Sequence, residues 1–212
     1  MGKKRQCGRV FRGRVIMNHT NEKLSLTLRP ALIHESRIIA EQYVKFHDWD
    51  LARVEVLANN LLQARTESTS KTVYGEVSKR LKNLSNDELV LMTESDADVK
   101  HLVWLAICRQ YPFTYQFAIE VLAEQYSKSQ FQLYPEDYAA FLNAKAEWHS
   151  NLDKITQQSR YKAQQIMFKM LVECGLVDEN KVMIHQQISK ELEELIKQSN
   201  ADYLRIYPGE YS

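Results

Sequence analysis

Apolar residues recur along this chain at helical rather than strand spacing, and the repeats are bounded by residues that cap or stop helices. Over residues 30–46, Leu32, Ile33, Ile39, Ala40 and Tyr43 recur near a 3.6-residue period, and Pro30 suits a first helical turn. The acidic corner His47-Asp48-Trp49-Asp50 opens a second helix over 50–64, whose expected buried stripe is Leu51, Val54, Ala58, Leu61 and Leu62. Arg65 to Ser68 reads as a short turn, with Ser68 as the expected cap of a third helix that extends to residue 84. Asn86 or Asp87 is expected to cap a short fourth helix through Leu89 to Met92.

The polar stretch 93–98 is the expected boundary between two helical domains, 24–94 and 95–212, preceded by a disordered basic leader over 1–23. Further helices are predicted over 99–109, 112–126, 135–149 and 159–174, with Gly175 stopping the last of these. A final amphipathic helix is predicted over 186–199 with Ile188, Leu192, Leu195 and Ile196 inside. Two β-like runs, 182–184 and 203–207, flank that helix and are candidates to pair as a small wing. The expected fold is therefore all-α: a multi-helix bundle with an N-terminal helix-turn-helix and a C-terminal one, winged or not, and at most a minor two-stranded β-pair.

Composition agrees with this pattern. The 212 residues include only 6 Gly and 4 Pro, and no apolar run approaches the roughly 18–20 residues that span a bilayer. Cys7, Cys108 and Cys174 are odd in number and scattered, which fits reduced thiols of a cytoplasmic protein better than a disulfide framework. The net charge of +1 is unevenly placed. Residues 1–16 hold six bases and no acid, and the remainder carries 22 bases against 27 acids. The leader is either dispensable or a DNA-contacting arm. Any polyanion elsewhere must be met by local patches rather than by a general basic field.

One such patch lies in the hairpin 50–84, which has the length and turn chemistry of a helix-turn-helix. Val73, Val77, Leu81 and Leu84 define the apolar side of its second helix. Ser68, Lys71, Thr72, Gly75, Lys79 and Lys82 project to the other side, with Ser78 at the edge and Glu76 on a flank. Lysines neutralise phosphates, and small side chains permit close approach to a major groove. A solvated basic face is the alternative. A second candidate is the helix over 159–174, where Tyr161, Lys162, Gln165 and Lys169 project opposite a stripe of Ala163, Ile166, Met167, Met170, Leu171 and Cys174. It reads equally as a winged element or as a plain helical subdomain.

Catalytic and cofactor signals are missing. The six histidines show no metal-ligand spacing, and no phosphate-cradling glycine loop or nucleophile elbow is found. No cofactor and no metal are expected, and a non-enzymatic protein is favoured.

Several stretches taken together resemble the BrxA family of bacterial phage-exclusion (BREX) systems. They are Trp49-Asp50, Asn60 to Arg65, Ser68 to Lys71, Arg80-Leu81, Leu102 to Phe113, Phe117 to Leu122, Lys145-Ala146 with His149, and Phe168 to Leu176. The likeness covers about residues 24–208, with two departures: the leader, and Cys174 in place of a small residue before Gly175. The resemblance implies an all-helical accessory protein that binds double-stranded DNA and works beside other BREX proteins. It places Arg65, Ser68, Thr69, Lys71, Lys79, Arg80 and Lys82 at polar and basic positions of the N-terminal element, and Lys162 at the basic position of the C-terminal one. It also implies a likeness to the RNA-binding factor NusB. An RNA-binding module therefore stands beside the DNA-binding expectation, as does a protein-protein adaptor, which fits the excess of acids over bases in residues 17–212, and the oligomeric state stays open.

Overall fold

Hydrogen-bonding side chains set where the helices begin. The computed structural model describes residues 29–209. The basic leader expected over 1–23 lies outside the described residues. Helix α1 (Ile33–Phe46) turns at His47 into α2 (Trp49–Ala58), where the Asp48 carboxylate accepts from the N–H groups of Asp50 (2.7 Å) and Leu51 (3.0 Å). Thr66 caps α3 (Glu67–Leu81) by accepting from the Thr69 N–H at 3.2 Å. Ser85 and Glu88 satisfy each other's backbone N–H groups at the start of α4 (Asn86–Glu94). The caps are thus Thr66 and Ser85 rather than Ser68 and Asn86 or Asp87. In each case the preceding hydroxyl reaches the N–H three residues on, so the helix starts earlier than expected.

Helix α5 (Val99–Gln110) is buried nearly all round, from Leu102 to Cys108, and forms the axis of the protein. It packs against α1, α3, α4 and α6 (Pro112–Phe117), so the polar stretch 93–98 does not interrupt the packing. A single cluster of buried apolar side chains runs from Ala31 to Tyr207. Helix α6 continues through a π-helical stretch, Ala118–Ala123, into α7 (Glu124–Ser127). Beyond these come α8 (Pro135–Ala146), α9 (Ser150–Asp153), α10 (Gln157–Glu173) and α11 (Lys190–Asn200). Gly175 ends α10 with φ +74°, the left-handed conformation that favours glycine. The all-α bundle is as expected, and among the described residues no helix is long and apolar enough to cross a membrane.

Two further expectations do not hold. The expected stripe of α2 faces outward: Leu51 is 54% and Val54 is 64% exposed, while Ala52 and Val56 are buried. The small Ala52 lets α2 lie close to its neighbours, and α2 ends at Ala58, leaving Leu61 and Leu62 half-buried in the following loop. The wing does not form either. Val182 and Met183 bridge to Gln132 and Val177, while Ala201–Ile206 coils into a 3-10 turn started by the Asn200 side chain. That turn is anchored on α5, because the Trp104 indole N–H donates to the Ile206 carbonyl at 3.1 Å and the Tyr207 hydroxyl donates to the His101 carbonyl at 2.8 Å.

Candidate nucleic-acid interface

Helix α3 is amphipathic in an unusual sense: its inner side carries an ion pair as well as apolar groups. Tyr74, Val77 and Leu81 are buried, and the Tyr74 hydroxyl donates to the Trp49 carbonyl at 2.6 Å, fixing α3 against α2. Ser70, Ser78 and Arg80 are also buried. The Arg80 side chain is only 1% exposed. Its guanidinium pairs with Glu76 at 2.9 Å and donates to the carbonyls of Arg29 (3.3 Å), Pro30 (2.9 Å) and Ala31 (3.1 Å). Glu76 also accepts from the Tyr111 hydroxyl. Burial, then the bond to Glu76, raises the Tyr111 phenol to about 12. Arg80, expected among the nucleic-acid contacts, is therefore turned inward to hold residues 29–31 against α3.

Pulling Glu76 inward changes the outer side. Ser68, Thr72, Gly75, Lys79 and Lys82 are all exposed and follow one another at helical spacing, giving a single ridge. The space beyond Gly75 is open, with nothing near where a methyl group would stand. The acid on this outer side is Glu67, and Lys71 pairs with it at 2.5 Å. Lys79 lies with its ammonium 5.6 Å from the Tyr111 ring and Lys82 with its ammonium 5.6 Å from the Trp49 ring. These cation–π contacts position the two stems while the side chains remain exposed. No ion pair among the described residues engages Lys79 or Lys82. Arg65 and Thr69 are exposed as well, at the start of α3.

The support under the ridge differs from the expected motif. Residues 59–66 connect α2 to α3, a longer path than the four-residue turn predicted from Arg65 to Ser68. Asn60 adopts φ 44° and clasps this loop, its side chain accepting from the Ala64 N–H (3.1 Å) and donating to the Ala64 carbonyl (3.2 Å).

On α10, Tyr161, Lys162, Gln165 and Lys169 are exposed as expected, while Ala163, Met167, Met170, Leu171 and Cys174 are buried. Lys169 pairs with Glu173 at 3.6 Å, which reduces its availability to a polyanion. The Glu173 carboxylate also accepts from the Ala31 N–H at 2.7 Å, tying α10 to the chain before α1. Among the described residues no group of three or more His, Cys, Asp or Glu is placed to hold a metal.

The contribution of Glu76 and Tyr111 was missed at the level of sequence. The i, i+4 spacing of Glu76 and Arg80 was the available signal for their pairing, but the carbonyls of 29–31 could not be inferred.

A family model described as BrxA matches residues 23–200. The "BREX protein BrxA" of Escherichia coli O9:H4 (strain HS) is 26% identical over 150 residues, covering 70% of each chain. The protein of the same description from Bacillus cereus (strain H3081.97) is 23% identical over 163 residues, covering 75% of this chain and 80% of its own. The crystal structure of an uncharacterized protein from Magnetospirillum magneticum superposes with a TM-score of 0.71 at 19% identity, covering 84% of this chain and 94% of that one. The last likeness concerns the fold alone.

Proposed function

Because the chain belongs to the BrxA family, we propose that it is a non-enzymatic accessory protein of a BREX phage-defence system that docks on double-stranded DNA through α3. The observation that carries this is the outer ridge of α3, where lysines and small side chains stand exposed and the neighbouring carboxylates are drawn inward or neutralised. Lysine ammonium groups act as point charges on phosphates, and Ser68, Thr72 and Gly75 let the helix approach a groove closely. Contacts would be mainly to the sugar-phosphate backbone, because the ridge presents no arginine-asparagine pair for bidentate reading of bases. Helix α2 and the 59–66 loop serve as the support, in place of a tight helix-turn-helix. Tyr161, Lys162, Gln165 and Lys169 on α10 form a second, weaker contact face. Other BREX proteins are the expected protein partners.

A salt-titrated mobility shift on duplex DNA, single-stranded DNA and RNA of equal length tests this. Preferential, salt-sensitive retention of the duplex supports DNA docking, whereas stronger retention of RNA favours a NusB-like module. The exposed Leu51–Val54 edge of α2 favours a second reading, a protein-protein adaptor within the defence complex. Co-purification with defence proteins together with no nucleic-acid retention at low salt would select it.

A further inference from the structure

A cleft of about 240 Å³ opens between α8 and α10. Ala139 and Leu142 give it an apolar wall. Tyr138, also lining it, is buried, and its hydroxyl has no hydrogen-bond partner. Burial pushes the Tyr138 phenol well above its ordinary value, and Arg160 is the nearby charge that opposes the shift. The Arg160 guanidinium is held in place by the Asn143 side-chain oxygen (2.9 Å) and the carbonyls of Leu152 (3.2 Å) and Ile155 (3.5 Å), and these three bonds leave two of its five N–H donors unspent. Gln164 donates its amide to the Pro135 carbonyl at 2.6 Å, which leaves the amide oxygen as an acceptor. At the rim stands Tyr161, 59% exposed. Among the described residues no carboxylate lines the cleft.

An anchored guanidinium, an amide and an exposed aromatic ring are complementary to a planar heterocycle that carries an anionic group. We propose that the α8–α10 cleft binds one unstacked nucleotide, its base against Tyr161 and its phosphate at Arg160. The volume lies below the roughly 300–1,000 Å³ of pockets for larger ligands, which suits a single nucleotide. Tyr161 also belongs to the outer face of α10 with Lys162 and Gln165, so a strand following that face passes the mouth of the cleft. The nucleotide is supplied either free in solution or as an unpaired residue of a strand. This deepens the nucleic-acid reading at α10 without depending on the α3 ridge.

The test is calorimetric titration of the full chain with AMP and UMP, alongside duplexes with and without one extrahelical nucleotide. Saturable binding of AMP or UMP identifies a free nucleotide as the source. Tighter binding of the bulged duplex than of the paired one identifies a strand. In either case Tyr161→Ala lowers the affinity at least about fivefold, as loss of a stacking platform requires. Tyr138→Phe, which removes a hydroxyl that has no accessible surface and no partner, leaves the affinity unchanged with an unchanged or higher Tm. Replacing Lys71, Lys79 and Lys82 leaves binding of AMP and UMP unchanged, so failure of the α3 reading and failure of this one are distinguishable. Absence of AMP and UMP binding into the millimolar range together with equal affinity for both duplexes overturns the proposal, as does affinity that Tyr161→Ala leaves intact.

Discussion

Glu76 and Arg80, one turn apart on α3, form an ion pair at 2.9 Å on the inner side of the helix. The same turn of helix thereby sends one acid and one base inward and leaves Lys79 and Lys82 facing out. Removing the base alone leaves Glu76 partly buried with its charge uncompensated and three carbonyls without their donor. Arg80→Ala is therefore expected to destabilise the fold by about 3–5 kcal/mol in denaturant unfolding, whereas Lys79→Ala stays within about 0.5 kcal/mol. Equal, small effects for the two substitutions would contradict the assignment of Arg80 to the interior.

Alkaline pH should loosen the same region. Burial is the largest cause of the raised values, near 12, of both Tyr74 and Tyr111. A phenol of ordinary value near 10 in the unfolded chain holds its proton to higher pH in the folded one. The stability these groups contribute is fully present below pH 10 and is lost as pH rises from about 10 towards 12. Urea unfolding across that window is expected to show the loss, with a shallower decline in Tyr74→Phe.

Gly75 separates stability from binding. It lies in an exposed helix interior with open space around it, so Gly75→Ala should stabilise the protein by about 0.5–1 kcal/mol. If a duplex seats against the ridge, the added methyl group lies in the contact, and affinity falls while Tm rises. Higher Tm with unchanged duplex affinity would place the contact elsewhere.

The two lysines of α10 should differ. Lys169 is already paired with Glu173, whereas no ion pair among the described residues engages Lys162. Lys162→Ala is expected to lower the salt dependence of duplex binding by up to about one unit of slope, and Lys169→Ala by less. Mobility shifts at several salt concentrations measure both.

How far this could be read from the sequence depends on the range of the forces involved. The helices were legible because their periodicity is local, while the caps Thr66 and Ser85 fall one or two residues before the positions expected for them. Gly175 was legible because a left-handed helix stop favours glycine. The outward turn of Leu51 and Val54 was not, because choosing between two apolar sides of a short helix depends on how closely α1 and α3 pack against Ala52 and Val56. Residues 203–207 read as a strand by their aromatic and branched side chains, yet coil under the distant anchor of Trp104. Arg80 looked like its neighbours Lys79 and Lys82. Its fate was decided by carbonyls about fifty residues earlier. The α3 ridge itself was visible in the sequence, because exposure of residues at spacings of three and four is a property of the helix alone.

The measurement closest to the central claim is a salt-titrated mobility shift comparing the native chain with the Lys71→Glu, Lys79→Glu, Lys82→Glu triple variant on duplex DNA. With roughly five phosphates neutralised, the native chain should show a slope of log K against log salt of about −4 to −5. The triple variant should lose duplex binding while its circular dichroism stays that of the native helical protein. Native-like affinity and slope in a correctly folded triple variant would contradict docking through α3.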